Sequence, residues 1–327
     1  MHPFRFSAGL LAGVVTLAAG ILPAAAQNYP NRPVTVIVPF AAGGPTDVVA
    51  RIVTDYMAKS LGQSFVIENV VGAGGTTGIT RAKRAKNDGY TIAMGHLGTH
   101  AAAPALYPNL AYDPAVDFEP IGLISINPQL LVAKKNLEAN RLNELVPWMK
   151  AHPGDAKFVN QNAAAAISGL LLQQLTNTKL TLIPYRGAGP AMTDLVSGQV
   201  DLLVAQGAVT LPQIRGNSIK AIANLSPQRS ASMPDIPTSD ETGVPGLYMS
   251  GWFGFYAPKG TPKDVIGTLN SAMSKVLADP AVKARFAELG LDVASPEQQK
   301  PEGLAAFQKA EIAKWWPIIK SAGIKPE

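Results

Sequence analysis

Residues able to do covalent or metal chemistry are scarce in this chain. None of its 327 residues is cysteine, which removes thiol nucleophiles, disulfides, thiolate zinc sites and iron–sulfur clusters. Beyond His2 the histidines are His96, His100 and His152, and neither an H-E-x-x-H nor a G-x-S-x-G stretch occurs. His152, before Pro153-Gly154, reads as a helix-end residue. His96 and His100 lack a further carboxylate or histidine at ligand spacing, so they read as polar lining or plain structure. Two glycine-rich turns remain, Gly43-Gly44 and Gly72 to Gly78, together with Arg186 in Tyr185-Arg186-Gly187. Glycine lets a backbone approach a ligand, and the first N–H groups of a helix lack internal partners and carry partial positive charge. Such turns can hold a carboxylate, and a guanidinium can pair with one. The plainer alternative, tight turns and a solvent-facing arginine, stands beside that reading. A nucleotide fits poorly: Gly78 is followed by Ile79-Thr80 rather than Lys-Ser, and Gly72-x-Gly74-x-x-x-Gly78 misses the dinucleotide spacing.

The elements that would position these turns alternate. Val34 to Val38 is a β-branched run expected of a buried parallel strand. Pro45-Thr46-Asp47 opens a helix that either Thr46 or Asp47 could cap. Phe65 to Ile67 reads as a second strand, the basic stretch containing Arg81, Lys83, Arg84 and Lys86 as a short helix, and Tyr90 to Met94 as a third strand. The pattern restarts with strands at 130–133, 157–159, 180–183, 200–204 and 219–223 and helices between them. Trp252 to Ala257 is a last strand, and helices fill the remainder to Ala322. Alternation of this kind predicts parallel α/β sheets, here two lobes around a cleft. Ligands of such sheets collect beyond the carboxyl ends of the strands. Trp252 and Phe253 are expected in the core, with Trp315 and Trp316 as anchors of the final helix.

Composition narrows the function classes. The chain is 47% hydrophobic and 16% charged with a net charge of +5, so it folds, and its thin, scattered basic excess does not argue for nucleic acid. Residues 1–27 carry Arg5, an apolar run from Leu10 to Leu22 and Ala24-Ala25-Ala26, the pattern of a secretory signal. An exported, soluble protein without catalytic residues, metal or cofactor is the expectation.

The order of short motifs supplies a resemblance. Pro33 to Gly44 is followed by Asp47, Ala50-Arg51, Gly62-Gln63, Glu68-Asn69, Gly72-Ala73-Gly74-Gly75 and Asp88-Gly89-Tyr90-Thr91. Tyr112-Asp113-Pro114, Pro184-Tyr185-Arg186-Gly187, Gly198-Gln199-Val200-Asp201 and Ala257 to Pro262 continue it. The series resembles the substrate-binding proteins of tripartite tricarboxylate transporters, the Bug family, over nearly the whole exported chain. The resemblance implies a two-lobed periplasmic binding protein of type II-like α/β fold, with two Rossmann-like domains around a central cleft. Its lobe 1 would comprise 28–126 and 249–327 and its lobe 2 127–248. It implies a monomer that captures a small organic acid and delivers it to a membrane permease, with no nucleic acid partner. The alternatives are a ligand sensor feeding a signalling partner, or an exported hydrolase using the His96 and His100 region. Carried over by motif, one grip on the carboxylate is Phe40, Ala42, Gly43, Gly44 and Asp47, and the other is Tyr185, Arg186, Gly187 and Ala188. Gly74, His96, Thr99, Asn162, Ser168 and Gln206 complete the expected lining. Relatives tend to carry a Ser/Gly-rich loop and His-Leu where this chain has Asn162-Ala163-Ala164-Ala165-Ala166 and, further on, Gly169-Leu170. That departure predicts a less polar wall and a ligand with an apolar body, such as an aromatic or longer-chain acid.

Overall fold

The computed structural model describes residues 29–161, 163–185 and 188–322. The expected export signal and the site residues Asn162, Arg186 and Gly187 lie outside them. In chain order the first half carries β1 (Val34–Val38), α1 (Pro45–Leu61), β2 (Phe65–Asn69), α2 (Thr76–Lys83), β3 (Thr91–His96) and α3 (Ala103–Leu106). A long strand, β4 (Phe118–Lys134), leads into α4 (Leu142–Ala151), β5 (Lys157–Asn160), α5 (Ala163–Thr176), β6 (Thr181–Pro184), α6 (Ala188–Ser197), β7 (Leu202–Gln206), α7 (Gly207–Arg215) and β8 (Ile219–Asn224). The chain returns through β9 (Ser250–Pro258), α8 (Lys263–Ala278), α9 (Pro280–Glu288) and β10 (Asp292–Val293) to α10 (Pro301–Ala322).

Strand pairing repeats one plan twice. In the first sheet β2, β1 and β3 run parallel, β9 is antiparallel to β3, and β4 follows β9. In the second, β6, β5 and β7 run parallel, β4 is antiparallel to β7, and β8 follows β4. The parallel strands are short apolar runs, as burial on both faces requires. Both sheets share β4, which pairs with β9 from Phe118 to Pro128 and with β7 from Gln129 to Ala133. The two lobes of this α/β fold are therefore joined through one continuous strand.

Sequence reading placed only 130–133 of β4 in a strand. Pro120, Gly122 and Pro128 interrupt the apolar pattern, and the register with β9 shifts at Pro120/Gly122 and Leu123/Ser125. Partners, not propensity, make this stretch extended. The basic helix α2 is also shorter than its charge pattern suggested: it stops at Lys83, so Lys86 lies beyond it.

One core joins α1, α8 and α9 to the first sheet through Val53, Met57, Leu269, Met273 and Phe286 packed with Val36 and Phe255. Another gathers Leu131, Leu145, Phe158 and Leu172 of the second half with Trp315 and Ile319 of α10, so the last helix bridges both lobes. Its anchoring is specific. Glu311 Oε2 accepts from the indoles of Trp252 (3.2 Å) and Trp315 (3.0 Å). Burial raises the Glu311 pKa, opposed by the bond from Trp315, by Lys314 and by the bond from Trp252.

Candidate functional site

The loop after β1 is built by Asp47. Gly44 is the residue before α1 and Pro45 its first, where a missing N–H costs nothing. Neither Thr46 nor Asp47 is the cap itself. From the first turn, Asp47 reaches back so that Oδ2 accepts the Gly43 N–H at 2.9 Å. Arg51, one turn on, donates to both carboxylate oxygens at 2.9 and 3.0 Å. Asn69, at the end of β2, donates to Oδ1 and to the Phe40 carbonyl, each at 2.9 Å. Burial raises the Asp47 pKa, but the bonds from Arg51, Gly43 and Asn69 outweigh it and hold the carboxyl at about 2. Asp47 is 2% exposed, and both its oxygens are occupied by the chain's own donors. Asp47, expected either to touch ligand or to cap the helix, shapes the loop. The Gly43 amide, with φ at +80°, is likewise spent inside the loop. The free donors left to an anion are those of the first turn of α1, which have no carbonyl a turn behind them.

Phe40 rests on His96, with ring centroids 4.7 Å apart. Gly75 packs from the other side, where a Cβ would stand 3.0 Å from Phe40 Cζ and 2.9 Å from Thr99 Cγ2. The second glycine turn thus brings α2 against the first loop. Gly74 is exposed and its absent Cβ would meet the Tyr107 hydroxyl at 2.5 Å. That is a packing role on the α2 side.

His96 closes β3. Its Nδ1 accepts the Gly98 N–H at 2.8 Å, which places the remaining proton on Nε2, a buried atom with no partner. Desolvation lowers its pKa to about 4, so the ring is a neutral donor at ordinary pH. Residues Gly98–Ala102 form a π-helical turn, and its carbonyls are held by other elements. Tyr112 Oη donates to Thr99 O at 2.9 Å, Gln308 Nε2 to His100 O at 3.0 Å, and Trp316 Nε1 to Ala101 O at 2.7 Å. Thr99 is fully buried with its hydroxyl 2.9 Å from His100 Nδ1. It supports the turn. His100 is stacked on Tyr256 at 4.0 Å and buried in the first lobe, where desolvation and then His96 push its pKa well down.

In the second lobe Tyr185 follows β6 and donates its hydroxyl to Asp194 Oδ2 at 2.5 Å. That bond, with burial, raises the phenol pKa to about 12. Ala188 is the first residue of α6, so the Tyr185 loop also leads into a helix N-terminus. Ser168 is 1% exposed and its hydroxyl donates to Ala164 O at 2.7 Å within α5. The bond lies inside its own helix. Gln206 ends β7 directly opposite Gln129 of β4. Sequence reasoning missed Asn127, Gln129 and Gln161, all buried polar residues around the junction of the two sheets. A period-two polar stripe within an apolar strand, Ser125-x-Asn127-x-Gln129, was the signal for the first two.

Among the described residues no group of three His, Cys, Asp or Glu side chains could hold a metal, and no helix is long and apolar enough to cross a membrane. Residues 49–324 match the family described as tripartite tricarboxylate transporter family receptor. MatC from Rhodopseudomonas palustris, solved with bound malate, is 42% identical, with a TM-score of 0.75 over 89% of this chain and 100% of that one. A second R. palustris protein, solved with adipate, is 31% identical, with a TM-score of 0.78 over 91% of this chain and 100% of its own. Protein BugT of Bordetella pertussis is 35% identical over 96% of each chain. The chain belongs to the tripartite tricarboxylate transporter family of receptors.

Proposed function

We propose that this chain is a periplasmic carrier that captures a small organic acid between its lobes and delivers it to the membrane permease of a tripartite tricarboxylate transporter, without turning it over. The lobes are bounded at 126/127 and 248/249, and α10 ties them together. The observation that carries the reading is the loop after β1. A buried carboxylate, Asp47, uses both oxygens to fix a turn that leads directly into the N-terminus of α1. Fixed N–H groups at a helix start stabilise an anion without a counter-charge. In the other half the Tyr185 loop leads into α6 in the same manner. Malate and adipate in the two solved relatives support a carboxylate ligand. Ala164 to Ala166 on α5 favour an acid with an apolar body.

Such a carrier needs no nucleophile, and the enclosed His96 and His100 rings offer none to substrate. Titration calorimetry of the exported form against mono- and dicarboxylates is expected to give stoichiometric binding with no product. Turnover of any acid, or no binding across the series, would overturn the proposal.

A further inference from the structure

At the junction of the sheets, β4 presents Ser125, Asn127 and Gln129 on one face, because alternate residues of a strand share a face. All three are buried, at 0%, 1% and 7% exposure. Asn127 is cross-strand from Gly251 of β9, and Gln129 from Gln206 of β7. The glycine is where they converge. A Cβ on Gly251 would lie 3.4 Å from Gln206 Nε2, 3.7 Å from Gln129 Nε2 and 3.7 Å from Asn127 Cβ. Ser125 donates to Asn127 Oδ1 at 3.0 Å, but Asn127 Nδ2 is buried without a partner. Turning the amide over leaves its oxygen orphaned instead, so one polar atom of Asn127 lacks a partner either way.

A buried polar group left unpaired costs free energy, and two glutamine amides beside a missing side chain, with the Asn127 carboxamide two residues along the same face of the strand, are not needed to hold β4. Apolar residues at those positions would pack the junction at no such cost. We infer that Asn127, Gln129 and Gln206, grouped over Gly251, form a neutral subsite that receives a second oxygen-bearing group, the distal carboxylate of a dicarboxylic acid. The inference deepens the proposed acid capture and rests on it. Its location follows the strand ends: Gln206 closes β7 where α7 begins, at the carboxyl end where ligands of parallel sheets lie. Amide N–H groups bind a carboxylate without ion pairing. Discrimination therefore arises because a monoacid leaves the donors unpaired.

The test is calorimetry on the intact exported protein with straight-chain diacids and monoacids of matched length. Gly251→Ala adds one methyl at ordinary van der Waals distance from the Gln206 and Gln129 amide nitrogens and from Asn127 Cβ, so the strand tolerates it while the two glutamine amides become covered. Gln206→Glu places a like charge beside the distal carboxylate. The parent should prefer diacids, and each variant should lose about 10-fold to 100-fold in diacid affinity, the worth of a charge-assisted hydrogen bond, so that its preference over the matched monoacid narrows. Equal binding of diacids and monoacids, unaltered in both variants, would overturn the amide subsite and leave acid capture standing. Absence of binding to every acid by the parent would remove acid capture and this inference together.

Discussion

The two halves follow the same strand order yet secure their ligand loops by different physics. In the first, the six residues between β1 and α1 are held by a charged network in which Asp47 takes four hydrogen bonds from Gly43, Arg51 and Asn69. The corresponding link in the second half, between β5 and α5, is much shorter. There Gln161 Nε2 donates to Val204 O at 2.9 Å and its Oε1 stays buried and unpartnered. Among the described residues, the other second-lobe loop is tied by the Tyr185 hydroxyl to Asp194 and by the Tyr185 N–H to Asn160 O. A network of ionised and hydrogen-bonded groups resists deformation more than a single bond. The charged network therefore fixes the first loop from within the chain itself.

The largest effect should come from breaking the first anchor. Asp47→Ala frees the Gly43 amide, Arg51 and Asn69 at once. Because Arg51 is half-exposed and can rehydrate, the loss should be about 2–3 kcal/mol rather than the full cost of a stranded buried charge. Denaturant unfolding would measure it, and acid binding should weaken with it. Tyr185→Phe, the matching change in the second lobe, should cost about 0.5–1.5 kcal/mol. Equal losses would erase the contrast between the loops.

A finer comparison uses glycine. Gly43 sits at φ +80° with nothing within 4 Å of a built Cβ, so Gly43→Val is opposed by backbone conformation, not by contact. It should cost about 1–2 kcal/mol and distort the entry to α1. Gly189, inside α6, also has open space around its Cβ but no left-handed backbone. Gly189→Ala should be neutral or stabilise by up to about 1 kcal/mol through helix propensity. Thermal melts of the two variants would separate strain from crowding.

Most of the parallel strands and the start of α1 were legible because they are local: β-branched runs bounded by Gly and Pro, then Pro at the first helical position. Asp47 and Arg51 have the i,i+4 spacing of a helical ion pair, which the sequence reading did not use, and Asn69 arrives through space from β2, so Asp47 read as a ligand group or cap. The crossover strand was not legible, since its extended form is imposed by β9 and β7 across two bulges. The burial of Thr99 and His100 was not legible for a related reason. The π-helical turn that buries them is held by Tyr112, Gln308 and Trp316, the last two roughly two hundred residues away. The two-lobed plan followed from alternation, while the polar floor needed the register.

The smallest predicted effect tests whether acid sensitivity belongs to one half. His96 titrates at about 4 when folded against 6.5 when exposed. Between those values the unfolded chain binds the extra proton, so stability falls as pH drops from 6.5 toward 4. Asp47 acts in the next window: its depressed pKa gives stability that is present above 3.8 and lost as pH falls toward about 2. His100 is buried in the same first-lobe cluster and shifts in the same direction as His96. The second half's described histidine, His152, is exposed on the end of α4. Mild acid should therefore lower hydrogen-exchange protection at β3 and the 98–102 turn before it touches β5 and β7. His96→Gln, which keeps an amide donor and acceptor without the titration, should reduce that early loss. Uniform loosening of both sheets, or a His96→Gln profile identical to the parent's, would show that protonation of His96 does not act on the first lobe alone.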